Sequence, residues 1–474
     1  MKGIPGRFRL DFRRIHRFYR IIRTLCRKCQ TKNPLGTRMP IKVANKCRLC
    51  GNPDLKLILN LGEQPLSSVF PRPDAADPSR SPLELVLCSK DKKPDACGLV
   101  QLRHQADLAE MYGTTYGYFS SISPFMVSHL QGKVHDLVAY AKPVKGDVVL
   151  DIGCNDGTLL NAYGADRGLT RVGIDPSSEK FRHLMQPDIQ VAYEFFSEKG
   201  VRSMIGDKQC RIITSIAMFY DLDDPISFMR QIRALLSQDG VWVLELSYLP
   251  LLCTQLTYDQ VCHEHVTYLS LSHMKWMMER TGLNILDVTF NDLNGGSFSI
   301  YAGRDDGPHK PNAAGIQAIL DSERPLESGA PYERLRDRVV AHREEVRNFF
   351  DMAKAAGKRV FGYGASTKGN IVLNYCGLTK DDIIAIGDRN PEKDGLTTPG
   401  TRIPIISHEK LRKEKADYLF VFIWHLRKEV IQDEVAYLEA GGKLVFDLPR
   451  LHVVDKNNYR RYLEKNFEDL AFSL

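Results

Sequence analysis

Short apolar runs broken by Pro, Gly and Asn occupy residues 47–104. The runs are Leu55–Leu61, Leu83–Leu87 and Leu99–Leu102. Runs of this length with turn residues between them are typical of small β-hairpins, and so few residues cannot bury a large core. The pattern predicts a small β module over residues 46–104, after a separate extension over residues 1–45.

Residues 105–145 change to a helical pattern, and an α/β pattern follows. Met126, Leu130, Val134, Leu137 and Val138 share one face of a helix. From Asp147 onward, strand-like apolar runs alternate with helical stretches; the predicted strands are 148–152, 171–175, 211–216 and 241–246, with helices starting near Leu159 and Phe228. Such alternation predicts a parallel sheet with helices on both faces, a Rossmann-like domain that spans residues 105–304 with its helical lead-in.

A second α/β unit follows. Residues 305–335 are rich in Pro, Gly, Asp and Ala and are expected to form a linker, with a helix over 335–356 after it. Predicted strands follow over 359–362, 383–387, 418–422 and 443–446. The fold class is therefore α/β, with a second Rossmann-like domain over residues 305–474.

Composition fits a globular protein without a membrane span. Hydrophobic residues make up 43% and charged residues 26% of the chain. No apolar run reaches the roughly 18–20 residues that a membrane span needs. The eleven cysteines are odd in number and mostly scattered, which favours a reducing compartment over a disulfide framework. We expect a cytoplasmic protein.

The positive charge is concentrated in the first 38 residues. They contain twelve Lys or Arg and one acid, Asp11, so their net charge is +11. Since the net charge of the whole chain is +7, the rest of the chain carries a net charge of −4. A mildly acidic body is not expected to bind nucleic acid. The tail could form a cationic helix on a membrane or nucleic acid, or an import peptide; we favour an untranslated stretch upstream of Met39.

The segment from Asp151 to Gly157 predicts a ligand-binding turn. Small residues after a strand let the backbone approach a ligand, and the following helix offers free N–H groups. Asp151 could neutralise a cationic amino group. Asp175 ends the next strand 24 residues later, close to the offset at which an acid binds ribose hydroxyls. Because G-x-G-x-x-G is absent, a nucleoside ligand is favoured over a dinucleotide; the alternative is a plain structural turn.

Several segments together resemble a known family. Asp151–Gly157 resembles the class I methyltransferase motif. The paired cysteines with Cys97–Leu102, the segment Cys262–Tyr268 and the segment Gly362–Asn370 resemble sugar C-methyltransferases, typified by the nucleotide-sugar C-3′-methyltransferases of deoxysugar pathways. The resemblance spans about residues 47–450. It implies S-adenosylmethionine as methyl donor, a keto-sugar nucleotide or related carbon acid as acceptor, a zinc-binding N-terminal module and a C-terminal domain that helps to hold the substrate.

The cofactor and metal residues follow from this resemblance. The predicted donor-binding residues are Asp151, Gly153, Asn155, Gly157, Asp175, Phe196 and Ala217. The zinc ligands are expected to be Cys47 and Cys50 with Cys88 and Cys97, a set of four thiolates that suits a structural Zn²⁺. Two alternatives remain: Cys26 and Cys29 could pair with Cys47 and Cys50 at a zinc-ribbon spacing, or the cysteines could be free thiols.

Methyl transfer to carbon requires a base that creates a carbanion equivalent. A base whose pKa lies near the working pH does this best, which favours histidine. Residues Cys262–His265 follow a strand and should lie at the carboxyl edge of the sheet, where open α/β sheets bind ligands. The resemblance implies that His265 is the base and that Glu264 orients or polarises the reacting groups. His263 is expected to contact the substrate. A metal hydrolase is excluded because H-E-x-x-H would need histidine at Thr267.

Two further groups complete the predicted site. Tyr116 and Tyr118 resemble the family's active-site tyrosine region; either phenol could stabilise an enolate, and Tyr118 is preferred. The glycine-rich turn after the strand at 359–362 could bind an anion, and the expected substrate contacts there and on the next loop are Gly364, Ser366, Lys368, Asn370, Asp388 and Asn390. Residues 294–297 are expected to line the same cleft. The alternative is a turn that only maintains the fold.

The sequence therefore predicts a C-methyltransferase in which a histidine base forms an enolate. One alternative is an O- or N-methyltransferase on the same scaffold. Another is a protein that binds the donor without catalysis.

Overall fold

The computed structural model describes residues 41–106, 111, 119–464 and 472–474. The predicted β-hairpins near the N-terminus form the small sheet. It contains β2 (Leu55–Pro65), β3 (Arg80–Cys88), β4 (Val100–Leu102) and β11 (Thr267–Tyr268), all antiparallel, while β1 (Lys42–Val43) pairs with β5 (His104–Gln105) beside it. Since β11 comes from much later in the chain, the small sheet includes the stretch that directly follows His265.

The central sheet has seven strands in the order β12-β13-β10-β9-β6-β7-β8. They are β6 (Val148–Ile152), β7 (Thr170–Ile174), β8 (Gln190–Ala192), β9 (Cys210–Ile216), β10 (Leu236–Ser247), β12 (Leu283–Asn291) and β13 (Ser297–Arg304). Strands β6 to β10 are parallel, and four of these five were predicted; β13 runs antiparallel between β10 and β12. The sequence pattern did not predict β8, β12 or β13.

Helices cover both faces of the central sheet. The helices in this part of the chain are α1 (Pro124–Ala141), α2 (Thr158–Ala162), α3 (Glu198–Ile205), α4 (Pro225–Leu235), α5 (Leu249–Thr254) and α6 (Leu271–Met278). Successive residues of β6 point to opposite faces: Leu150 packs in the core with Trp242, and Val149 packs in the core with Leu137 of α1. Both faces of the sheet are apolar at this strand, so the sequence of the strand is predominantly hydrophobic.

The second sheet has six strands in the order β16-β15-β14-β17-β18-β19. They are β14 (Val360–Tyr363), β15 (Ile386–Asp388), β16 (Ile405–Ser407), β17 (Tyr418–Val421), β18 (Lys443–Phe446) and β19 (His452–Val454), the last of which is antiparallel. Its helices are α8 (Ala330–Ala355), α9 (Thr367–Tyr375), α10 (His408–Leu411), α11 (Arg427–Asp433), α12 (Val435–Glu439) and α13 (Tyr459–Glu464). The chain moves outward from β14 to β16 and then returns to β17, so the strand order reverses between β14 and β17.

The predicted linker over 305–335 is wrong, because this stretch contains helix α7 (Ala313–Glu323). The side chain of Asn312 caps this helix by accepting from the N–H of Gly315. At its far end the buried carboxylate of Glu323 accepts from the Tyr248 hydroxyl at 2.8 Å and from the N–H groups of Leu271 and Ser272. Glu323 thereby caps the N-terminus of α6, where a negative charge is favourable.

None of the helices in the part of the chain that the structure describes combines the length and the apolar character that crossing a membrane demands.

Replacement of Glu323 by Ala should destabilise the protein, because two buried donors and the N–H of the exposed Ser272 lose their acceptor. We expect a loss of about 2–3 kcal/mol, read as a lower midpoint of thermal unfolding. Glu323→Gln keeps one acceptor oxygen and should lose less. The exposed Glu327, which pairs with Lys90 on the surface, is the matched control, and Glu327→Ala should change little. An unchanged midpoint in Glu323→Ala would show that the cap contributes nothing.

Candidate functional site

Four cysteine thiols of the N-terminal region converge on one point. Cys47 and Cys50 flank a tight turn in which the N–H of Gly51 donates to the carbonyl of Cys47. Cys88 ends β3, and Cys97 follows the insertion after it. The four sulfur atoms lie within 4.8 Å of one another, with Cys47 and Cys97 3.4 Å apart.

This arrangement fits a tetrahedral Zn²⁺. Four Zn–S bonds of about 2.3 Å place the sulfurs about 3.8 Å apart, close to the spacing observed. Asn52 is buried and its amide lies 3.5 Å from the Cys88 sulfur, where it can donate to a thiolate. With four protein ligands no position stays open for catalysis, so the zinc is structural. Cys26 and Cys29, the alternative ligands, lie outside the described residues.

Strand β6 and the loops after β6 and β7, at the carboxyl edge of the central sheet, carry the predicted donor-binding acids and glycines. Asp151 lies in β6 with its carboxylate buried, and burial raises its pKa to about 7; it accepts from the Thr214 hydroxyl at 2.6 Å. Asp175 follows β7 and accepts from the N–H of Asn155 at 2.9 Å. This bond joins the two loops. Gly153 and Gly157 have φ of 76° and 75°, which favours glycine.

The rest of the predicted donor set lies along the same edge. Ala217 follows β9 and has φ of 53°, and its N–H donates to the carbonyl of Glu245. Phe196 lies between β8 and α3 and packs on Phe228 with ring centroids 4.7 Å apart. All seven predicted residues thus belong to strands β6 to β9 or to the loops that follow them, where a nucleoside ligand of an open α/β sheet binds.

The segment before α1 covers the first of these loops, which the sequence did not predict. The N–H of Ser120 donates to the side chain of Asn155 at 3.1 Å, and the N–H of Ser121 donates to Asp156 at 2.7 Å. Tyr116 and Tyr118, predicted to act near the acceptor, lie outside the described residues.

His265 lies beside a small cavity at the carboxyl edge of the central sheet. Its ring packs on Tyr220 with centroids 4.2 Å apart, and Gln260 and Tyr268 line the same cavity. The backbone carbonyl of Gln260 lies close to the ring and favours its protonated form.

The expectation of a base with a pKa near the working pH is wrong for this structure. Burial, and then the cation of Lys368, lowers the pKa of His265 to about 3. The ring is therefore neutral throughout the physiological range, but it is a weaker base than a free imidazole.

His263 and Glu264, the two residues before His265, are buried. The ring of His263 donates to the carbonyl of Ser81 in the small sheet at 3.1 Å, and so it points away from the cavity's lining. The carboxylate of Glu264 has no hydrogen-bond partner of normal geometry among the described residues. It lies near Cys262, where burial and then the Glu264 charge raise the pKa of the thiol.

The predicted substrate contacts of the second sheet lie at its carboxyl edge, where most of them shape their own loops. The Ser366 hydroxyl caps α9 by accepting from the N–H of Gly369. The Asp388 carboxylate accepts from the N–H groups of Ala365 and Asn390, at 2.7 Å and 2.8 Å. Gly364 has φ of 85°. These contacts bring the loops after β14 and β15 together, as the sequence predicted.

Lys368 and Asn370 reach other parts of the molecule. The ammonium of Lys368 donates to the carbonyl of Asn294 at 3.0 Å, within the 294–297 turn of the central sheet. The amide of Asn370 donates to the carbonyl of Ser67, beyond β2 of the small sheet. Neither side chain points toward the loop that carries Asp388. The predicted substrate-binding residues of the second sheet therefore fall into two groups, and Lys368 and Asn370 form one of them.

Tyr220, Gln260 and Trp424 belong to the site but were not predicted. Trp424 follows β17, and its indole donates to the Asp259 carboxylate at 2.8 Å. Each of these residues lies just beyond a strand or beside the His265 segment. This position is the sequence feature that could have identified them. Their residue types alone do not distinguish them from core side chains.

Replacement of Cys88 by Ser should release the zinc, because three thiolates and a hydroxyl hold the ion far less well. Metal content by elemental analysis is expected to fall well below one ion per chain. Cys253→Ser, a buried cysteine away from the cluster, is the control and should retain the ion. A Cys26→Ser/Cys29→Ser variant should also retain it. Full retention in Cys88→Ser would contradict the ligand set.

Comparison with known proteins supports the domain organisation. Family models match in three consecutive stretches: a zinc binding domain over residues 47–112, a methyltransferase domain over 126–288 and a C-methyltransferase C-terminal domain over 292–449. The C-methyltransferase NovU of Streptomyces niveus is 28% identical over 419 residues, which cover 87% of this chain and 98% of that protein.

Other relatives match the central sheet region alone. A tRNA U34 carboxymethyltransferase of Campylobacter lari is 30% identical over 140 residues, 27% of this chain and 47% of that protein. The solved structure of magnesium protoporphyrin IX methyltransferase from Synechocystis PCC 6803 covers 41% of this chain and 88% of its own, with 15% identity and a TM-score of 0.29.

The order of the three domains and the near-complete match to NovU confirm the family resemblance, and with it the donor and the zinc. The chain is an S-adenosylmethionine-dependent methyltransferase, and its three domains match, in order, a zinc-binding domain, a methyltransferase domain and a C-methyltransferase C-terminal domain.

Proposed function

We propose that this enzyme methylates a carbon next to the ketone of a nucleotide-linked keto-sugar or related carbon acid, with His265 as the base. The observation that carries the proposal is the placement of the His265 ring. It borders a cavity at the carboxyl edge of the central sheet, and a neutral imidazole has one ring nitrogen that can accept a proton.

A short path of contacts joins His265 to the donor loop. A Cβ placed on Gly153 would lie 3.3 Å from the side chain of Met218, so these residues are in contact. Two residues later Tyr220 packs on the His265 ring. The N–H of Val266 donates to the carbonyl of Tyr220 at 3.1 Å, which holds the two segments in register. The base therefore lies next to the loop that binds the donor.

The chemistry follows from this placement. The free lone pair of His265 takes a proton from the carbon beside the ketone, and the C–H electrons form the enolate. The enolate carbon then bonds to the methyl carbon while the S–CH₃ electrons return to sulfur. S-adenosylmethionine supplies the electrophilic methyl group. Tyr118, expected close to the acceptor, would donate a hydrogen bond to the enolate oxygen.

The acceptor is assigned to the space between the two sheets. Lys180, beyond β7, interacts electrostatically with both Asp175 of the donor site and Glu392 of the loop after β15. The loops after β7 and β15 are therefore both within electrostatic range of Lys180. Gly364, Ser366, Asp388 and Asn390 lie on the second edge, and we assign to their loops the contacts with the nucleotide part of the acceptor. Glu264, at the His265 segment, would orient the sugar.

Removal of the imidazole should abolish methyl transfer. We expect His265→Gln to lose at least 10²-fold in turnover while it still binds S-adenosylhomocysteine. The assay uses labelled donor with a panel of 4-keto sugar nucleotides, and NMR detects the new C–CH₃ group. His135→Gln, an exposed histidine on α1, is the control.

Near-normal turnover in His265→Gln would contradict the assigned base. A product methylated on oxygen or nitrogen would favour the alternative chemistry. Donor binding without product from any acceptor of the panel would favour a binding protein.

Loss of the Asp175 carboxylate should weaken donor binding. Asp175→Ala removes both the expected ribose acceptor and the bond that holds the Asn155 loop, so we expect at least a tenfold weaker dissociation constant for S-adenosylhomocysteine by calorimetry. Asp207→Ala, at an exposed position after α3, serves as control. Equal affinity in the two variants would remove Asp175 from the donor site.

A further inference from the structure

Six buried polar side chains near the ends of β2 and β3 have atoms that find no hydrogen-bond partner in the part of the chain that the structure describes. Each of these residues exposes no more than 6% of its surface. They come from the small sheet and the turn after β2, from the His265 segment and from helix α9. They are Gln64, Ser67, Ser81, His263, Glu264 and Asn370. Buried polar atoms are almost always hydrogen-bonded, so six such side chains together indicate a place that a ligand completes.

Printed contacts place these side chains around one end of the small sheet. Gln64 and Ser81 lie directly opposite each other in the antiparallel pair of β2 and β3, so their side chains share one face. The ring of His263 donates to the backbone carbonyl of Ser81 at 3.1 Å. The amide of Asn370 donates to the backbone carbonyl of Ser67 at 2.7 Å. The small sheet therefore meets both the His265 segment and the C-terminal domain at this end.

The face that carries Ser81 belongs to a core that the three domains share. Leu83 and Leu85 follow Ser81 at alternate positions of β3, and they pack in one core with Cys262 and with Ile371 of α9. At Ser81 this apolar face ends and the polar side chains begin. The polar group thus lies at the edge of a shared core, next to the segment that carries the base, and not on the outer surface.

The atoms without a partner are mainly hydrogen-bond acceptors. The side-chain amides of Gln64 and Asn370 already donate to carbonyl groups, which leaves their oxygen atoms unused. His263 donates from one ring nitrogen, and because burial lowers the pKa of the ring, the Nδ1 atom keeps its lone pair. Glu264 adds two carboxylate oxygens, and the serine hydroxyls can donate or accept.

A ligand with several O–H groups suits this set of atoms. A sugar ring carries hydroxyl groups on most of its carbons, and each hydroxyl can donate one hydrogen bond and accept others. A diphosphate brings acceptor oxygens and negative charge, which would face further acceptors and the Glu264 carboxylate. The atoms therefore favour the sugar over the diphosphate part of a nucleotide-linked acceptor.

We propose that the N-terminal zinc-binding domain takes part in acceptor recognition and binds hydroxyl groups of the sugar ring. The binding residues are Gln64, Ser67 and Ser81 of that domain, with His263 and Asn370 beside them. This inference rests on the proposed function, because it concerns the same acceptor. The loops after β14 and β15 keep the nucleotide, and the sugar lies beside the segment that continues into His265.

The test is calorimetry of the full chain with zinc and S-adenosylhomocysteine bound. The probes are 4-keto sugar nucleotides of the thymidine and uridine series, and thymidine diphosphate and uridine diphosphate are the probes without a sugar. Ser67→Ala and Ser81→Ala each remove one hydroxyl and leave the backbone carbonyl in place. In each variant we expect about fivefold weaker binding of the sugar nucleotides and unchanged binding of the nucleoside diphosphates.

The midpoint of thermal unfolding separates a binding role from a structural one. A hydroxyl that makes no hydrogen bond in the free protein does not stabilise it, so Ser67→Ala and Ser81→Ala should leave the midpoint unchanged or raise it. Thr281→Val is the matched control. Its buried hydroxyl donates to the carbonyl of Met277, so this variant should lower the midpoint and keep wild-type affinity for the sugar nucleotides.

Wild-type affinity for the sugar nucleotides in both serine variants would overturn the proposal and would show that solvent satisfies these hydroxyls. An equal loss of affinity for the nucleoside diphosphates would overturn the assignment to the sugar, and so would a wild type that binds no sugar nucleotide. Failure of the proposed function looks different. A wild type that binds the sugar nucleotides but methylates none of them would contradict the function and leave the binding result unchanged.

Discussion

A neutral imidazole offers one lone pair, and the structure around His265 determines where that lone pair points. The ring of Tyr220 packs on the imidazole and restricts its plane, and the carbonyl of Gln260 lies close to it. Neither contact lies within a regular strand or helix of the central sheet. The segment that carries the base is a loop, and its conformation depends on what surrounds it.

The small sheet supports this loop from one side. Strand β11 follows His265 directly and pairs with β4, and the N–H of Leu102 donates to the carbonyl of Val266 at 3.0 Å. The His263 ring adds a bond to Ser81 of β3. Because Cys88 ends β3 and Cys97 precedes β4, the zinc ion would fix the two strands that hold the loop. A structural metal distant from the reaction can in this way govern the geometry of the base.

Much of the fold could be predicted from the sequence, because parallel strands buried on both faces read as apolar runs. Val148–Ile152 is such a run and was predicted at its observed bounds. Helix α7 was missed because the Pro, Gly and Asp residues around it outweighed a short apolar stripe of Ile316, Ile319 and Leu320; Glu323 acts through hydrogen bonds that no local pattern reveals. Strand β13 was missed because it is antiparallel to its neighbours. Such a strand needs no crossover helix, so the alternation of strands and helices does not indicate its position.

The candidate site was predictable where one segment carries the chemistry, and less so where two segments meet. The four clustered cysteines and the acids of the donor loops occur in recognisable local motifs. The contacts of Lys368 and Gln260 with the carbonyl of Asn294 do not, because any residue type has a carbonyl. The lowered pKa of His265 depends on burial and on a cation more than a hundred positions away in the chain, neither of which the motif contains.

A weakly basic imidazole places demands on the acceptor. With a pKa of about 3, His265 can take a proton at a useful rate only from a carbon acid whose enolate is itself stabilised, or after the electrostatic effect of Lys368 has been reduced. A ketone beside the reacting carbon meets the first condition. A negatively charged group on the acceptor, near Lys368, would meet the second by raising the pKa of the base on arrival. An acceptor that combines a ketone with a phosphate-linked nucleotide meets both, and the base would then gain its full strength only in the complete complex.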